Sequence, residues 1–91
     1  MDSFEQEKTA TIKWLSHNKK FIVEQCQDYY TQYKNFMSSE PVEYHQDIKE
    51  QFKETIEHVV TKEIQYNLNI SIETVIIILE EIDILKFLDL T

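Results

Sequence analysis

No glycine occurs in this 91-residue chain, and its single proline is Pro41. Turns that place a residue at positive φ are therefore hard to build, and two-residue β-hairpins depend on such turns. Helices need glycine least, so the chain points to an all-α fold: a small helical bundle or helical hairpin with two long helices and one or two short C-terminal helices. The length fits one domain over residues 1–91, with a modest core and no enclosed cleft between lobes.

Ser3 followed by Gln6 has the form of a capping box and starts a helix near residue 4. From there Ile12, Leu15, Ile22, Cys26, Tyr29, Tyr33 and Phe36 recur at three- and four-residue intervals, and Leu15, Ile22, Tyr29 and Phe36 hold a seven-residue repeat. Ser16 or Asn18 offers a cap for a new helix. The unbroken phase nevertheless favours one long or slightly bent helix over residues 4–37, with Lys19 beside the seam, its stem buried and its ammonium at the edge.

Ser38, Ser39 and Pro41 mark a boundary before a second helix over residues 41–66, whose apolar stripe is Ile48, Phe52, Ile56, Val59, Val60 and Ile64. Asn67-Leu68-Asn69 interrupts that pattern. Ser71 then caps a third helix over residues 72–82, and Asp83 a short fourth over residues 84–90. Ile70, Ile72 and the run from Val75 to Leu79 would also suit a buried strand, but nothing upstream supplies a strand to pair with it.

The formal charge of −8 is unevenly spread: residues 1–37 carry five acids and five lysines, residues 38–69 seven and three, and residues 70–91 five and one. All nine basic residues are lysines, so the bidentate guanidinium grip on phosphate is missing. Only Lys19 and Lys20 are adjacent, which disfavours direct nucleic-acid binding and favours a protein partner with a basic surface. Cys26 is solitary and falls within the apolar pattern, as expected for a buried, inert thiol in the reducing cytoplasm. The first 20 residues hold no apolar signal region, and the longest apolar run, Val75 to Leu79, is far short of a membrane span.

The last 22 residues hold 13 large apolar side chains, five carboxylates and one lysine. On a helix over 72–82, Ile72, Val75, Ile76, Leu79 and Ile82 would face inward. Ile77, then Ile84 and Phe87 if the helix continues, would face outward, with Leu88 and Leu90 around the end and Glu73 and Glu80 at the rim. Leaving a large apolar side chain in water forgoes about 1.5–3 kcal/mol, so a contiguous patch of them implies a cover or a partner. The candidate interface joins this patch to the acidic face of the second helix, Glu50, Glu54 and Glu57, and to Tyr30, which lies about 100° around the first helix from Tyr29. Two alternatives account for the same residues: a central helix apolar all round, or a homodimer.

His17, His45 and His58 are well separated. Glu54, Glu57 and His58 share a stretch of helix without a matching second cluster, so no metal site, cofactor or catalytic constellation is expected. The expected function is a small acidic protein-binding module that masks a partner stoichiometrically, as an inhibitor, antitoxin, immunity factor or adaptor does, with nucleic-acid mimicry by its carboxylates a special case. The residues from Glu57 to Leu79 also have the length of a helix-turn-helix. A DNA-binding component and a purely structural homodimerisation module are therefore the alternatives.

Overall fold

Asp2 opens the first helix by accepting a 3.0 Å hydrogen bond from the Phe4 N–H through Oδ1, so the cap lies one residue before the expected Ser3. A computed structural model describes residues 2–91 and shows helices α1 (Ser3–His17), α2 (Lys19–Ser39), α3 (His45–Leu68), α4 (Ile72–Glu81) and α5 (Ile84–Phe87), with a 3₁₀ turn at Val42–Tyr44. The described residues contain no strand, and the helix over residues 72–81 settles the one segment with strand character.

The helix expected to run unbroken over residues 4–37 is divided at Asn18. Its backbone has φ −112° and ψ 14°, and its side-chain amide donates back to the Trp14 carbonyl at 2.8 Å beside its own N–H at 2.9 Å. An asparagine that hydrogen-bonds the preceding turn competes with helix propagation. Helical pairing resumes at once, since the Ile22 N–H donates to the Asn18 carbonyl at 3.0 Å. The seam stays in register, with Leu15 and Ile22 both fully buried.

Ser38 and Ser39 extend α2 instead of capping the next helix, because their hydroxyls donate to the Lys34 and Asn35 carbonyls, each at 2.9 Å. Pro41, at φ −56° and ψ 149°, leads into the 3₁₀ turn rather than into α3. The turn is closed by the Tyr44 N–H on the Pro41 carbonyl at 3.0 Å and by His45 Nε2 at 3.0 Å from the Glu40 carbonyl oxygen. α3 runs two residues past its expected end, where Asn69 in the left-handed region (φ 54°, ψ 43°) stops it. Ser71 caps α4 as expected, accepting from the Thr74 N–H at 3.3 Å.

α2 and α3 form an antiparallel hairpin, α4 packs on α3 and α1, and α5 packs on α3. Phe52, Ile56, Val60 and Ile64, four residues apart, give α3 its buried stripe. Ile22 and Cys26 from α2, Val75 and Leu79 from α4, and Ile84, Leu85, Leu88 and Leu90 from the C-terminal turns complete one core. Among the described residues the one polar side chain buried with them is Thr11, whose hydroxyl donates to the Glu7 carbonyl at 2.8 Å. The molecule measures 48 × 23 × 17 Å, longer than either helix of the hairpin, which span roughly 30–36 Å at about 1.5 Å per residue.

Candidate functional site

The C-terminal segment is mostly core. Asp83 adopts φ 46°, which ends the line of α4 and turns α5 back onto α3. Ile84, Leu88 and Leu90 are buried in consequence and Phe87 is half-buried against the core. Ile84 and Phe87 were expected on an outward face that required α4 to continue, with Leu88 and Leu90 around its end, and the left-handed residue removes that condition. α4 is also rotated from its expected setting: Val75, Ile78 and Leu79 are inward, whereas Ile72 and Ile76 join Ile77 outside, each nearly half exposed. Glu73 and Glu80 are exposed on the same helix as these isoleucines.

The acidic residues of α3 divide. Glu57 lies near Glu80 of α4 and Glu54, and its carboxyl is pushed above the usual range by burial first, with Glu80 and Glu54 adding to the rise and Lys53 opposing it. Glu50 instead accepts from Gln46 at 3.2 Å and lines a depression with Lys49, Lys53, Lys86 and Asp83. It belongs to a mixed-charge surface and not to the Glu54–Glu57–Glu80 group. Tyr30 is half-buried, its ring centroid 6.0 Å from that of Phe52 and 4.5 Å beneath the Lys34 ammonium.

An apolar concavity lies elsewhere, on the α2–α3 hairpin near its connecting turn. The seven-residue seam that runs through α1 and α2 is covered at Leu15 and Ile22 but open at Tyr29 and Phe36, which are 42% and 51% exposed. Opposite them Ile48, Gln51 and Thr55 of α3 form the second wall, Phe52 and Tyr33 the floor, and Tyr44 the end, around a groove of about 380 Å³. Tyr33 and Phe52 stack in parallel with centroids 4.3 Å apart at 9°, which stiffens the floor. Offset aromatic pairs of this kind add about 0.5–1.5 kcal/mol beyond their burial.

The charged residues lining the groove are Glu40, at the C-terminal cap of α2, and Asp47, in the first turn of α3. Both stand near the connecting turn that also carries Tyr44. The sequence placed Tyr29, Tyr33 and Phe36 on the seam but did not show where its cover stops. That information lies in the placement of α1, α4 and α5 against the hairpin, although the excess of tyrosine after Cys26 was the available sign.

Among the described residues no three histidine, cysteine or acidic side chains are grouped so as to hold a metal ion, and no helix is long and apolar enough to cross a membrane. Cys26 is buried, and burial raises its thiol pKa to about 11. A thiol in that state is a poor nucleophile near neutral pH. The fold and its surfaces thus define a small all-α bundle with an open aromatic groove and an isoleucine-bearing α4. Compared with family models, curated proteins and solved structures, the chain matches none.

Proposed function

We propose that this chain is a protein-binding module that masks a partner with a basic surface, one copy to one. The observation that carries this reading is the open half of the α2 seam. The repeat that buries Leu15 and Ile22 continues into Tyr29 and Phe36, which are left about half exposed. Apolar rings left uncovered on a chain with one otherwise continuous core favour a binding surface, because tyrosine and phenylalanine contribute much contact area at little conformational cost.

The net charge of −8 favours a cationic partner and speeds its capture, since complementary fields act mainly on association rate and specificity. On α4, Ile76 and Ile77 beside Glu73 and Glu80 offer a second contact of the same character. Nothing on that exposed face speaks for the DNA-binding alternative, as a recognition helix needs forward donors and α4 presents carboxylates.

Capture by the full-length chain from cells that express it, with mass determination of the complex, tests the reading. A one-to-one complex with a basic protein is expected, one that weakens as salt rises and loses affinity in a Tyr29→Ala/Phe36→Ala or a Glu73→Lys/Glu80→Lys variant. Capture insensitive to both variants, or a chain that stays monomeric and retains no protein at low salt, would refute it.

A further inference from the structure

We infer that the aromatic groove of the hairpin receives an amphipathic helix whose apolar stripe ends in lysine or arginine at the side of the connecting turn. The inference rests on the protein-binding reading and specifies its partner. Shape gives the first argument. The groove lies between two antiparallel helices, extends from Tyr29 to Phe36 on one wall and from Asp47 to Thr55 on the other, and is therefore about 10–12 Å long at 1.5 Å rise per residue. That is two helical turns, the reach of apolar anchors at positions i, i+3 or i+4, and i+7. An extended segment would instead seek a sheet edge for its backbone, and the described residues contain none.

Continuity with the core gives the second argument. Leu15 and Ile22 are packed over by the rest of the bundle, whereas the next two members of the repeat, Tyr29 and Phe36, face the groove. An added helix laid along them would extend the packing of the core over the part of the hairpin that lacks it, and the stacked Tyr33–Phe52 pair supplies a preformed floor. A preformed floor reduces the ordering cost that otherwise consumes binding free energy.

Charge fixes the polarity of the occupant. Glu40 and Asp47 are the acidic lining residues, both at the turn end, and the remaining polar lining is Gln32, Gln51, Thr55 and the hydroxyls of Tyr29, Tyr33 and Tyr44. The C-terminus of α2 beside Glu40 and the N-terminus of α3 beside Asp47 carry opposite partial charges that largely offset each other, so the two carboxylates set the sign of this end. A cation is favoured there. A second copy of this chain is a poor occupant, because two bodies of −8 repel and the uncovered α4 helix would bring Glu73 and Glu80 towards Glu40 and Asp47.

The test uses the full chain and two dye-labelled helical peptides of about 14 residues, identical in a leucine stripe at i, i+3, i+4 and i+7 and differing only in bearing lysine or glutamate next to the stripe's end. Fluorescence anisotropy is expected to show saturable binding of the lysine peptide, weakened by salt, with the glutamate peptide at least about tenfold weaker. Tyr29→Ala/Phe36→Ala, at exposed positions that leave the helical circular dichroism unchanged, is expected to reduce lysine-peptide affinity by about tenfold or more. Glu40→Lys/Asp47→Lys is expected to invert the preference.

Equal binding of both peptides, binding indifferent to the aromatic variant, or a dimer of the chain that the same variant dissociates would overturn the inference. Failure of the lysine peptide alongside a captured basic partner that depends on Glu73 and Glu80 overturns the groove assignment and leaves the broader reading intact. Absence of any retained partner removes that reading instead.

Discussion

Asn69, Asp83 and Asp89 hold φ values of 54°, 46° and 58°, so three junctions of a glycine-free chain are made by the residues that tolerate left-handed backbone best after glycine. At Asn69 this conformation ends α3, with the Asn69 N–H on the Gln65 carbonyl at 3.0 Å. Asn69→Gly relieves the Cβ clash while adding freedom to the unfolded chain, and the net expectation is a stability gain of up to about 1 kcal/mol, read as a higher denaturant midpoint. Cys26 gives a pH-dependent counterpart. Burial raises its thiol from 9.0 to about 11, so below about pH 9 it is protonated in both states and contributes no slope. Between about 9 and 11 the unfolded chain ionises first, and stability should fall by about 1.4 kcal/mol per pH unit. Comparison with Cys26→Ala isolates this from the tyrosines and lysines, because the extra alkaline loss must vanish in the variant. Glu57 has the same direction on the acid side. Its raised pKa makes its contribution most favourable below the ordinary value of 4.5 and progressively lost as pH rises through the folded value. Glu57→Gln should therefore stabilise the protein at pH 7, by less than about 1 kcal/mol for a side chain only partly withdrawn from water, and change nothing near pH 3.

At the scale of elements, the two ends of the hairpin differ. Ile56, Val60 and Ile64 of α3 are fully buried, whereas Tyr29, Phe36 and Tyr44 remain 42–51% exposed. Local stability follows the density of buried apolar contacts. Amide exchange over residues 29–48 is expected to proceed by local opening, well ahead of residues 56–64, and uniform protection along the hairpin would contradict this. The elements themselves were legible in the sequence: the three- and four-residue spacing located α2 and α3, and Ser71 located α4. Their junctions were less so. A seven-residue repeat is indifferent to a one-turn interruption, so Leu15 and Ile22 keep phase whether or not Asn18 breaks the hydrogen bonding between them. The orientation of α4 was similarly underdetermined, since with isoleucine at 72, 76, 77 and 78 several rotations bury a comparable area. Contacts with α1 and α3 select the one that hides Ile78, and Lys8 adds a 2.7 Å ion pair to Glu81. An exposed pair of this kind orients more than it stabilises.

The whole molecule shows why the C-terminal segment had two opposite readings. Thirteen large apolar side chains in 22 residues satisfy either a core or a docking surface, and periodicity gives no means of choosing once the helix ends. Asp83 decides it by redirecting the chain, so that Ile84, Leu85, Leu88 and Leu90 are all at most 2% exposed. The final turns are tied down further by the Leu90 N–H on the Leu85 carbonyl at 2.8 Å and by Lys19 Nζ at 2.7 Å from Asp89 Oδ2. Those four side chains together account for about 6–12 kcal/mol of burial, comparable with the total stability of about 5–15 kcal/mol typical of a small domain. Deletion of residues 84–91 is accordingly expected to abolish the cooperative unfolding transition of the free protein and not merely to weaken a complex. Had these residues been anchors for a partner, the truncated chain would keep its helical circular dichroism and melting transition and lose only binding. Tyr29→Ala/Phe36→Ala makes the complementary case, because exposed rings contribute little to the isolated fold and their loss should leave that transition in place.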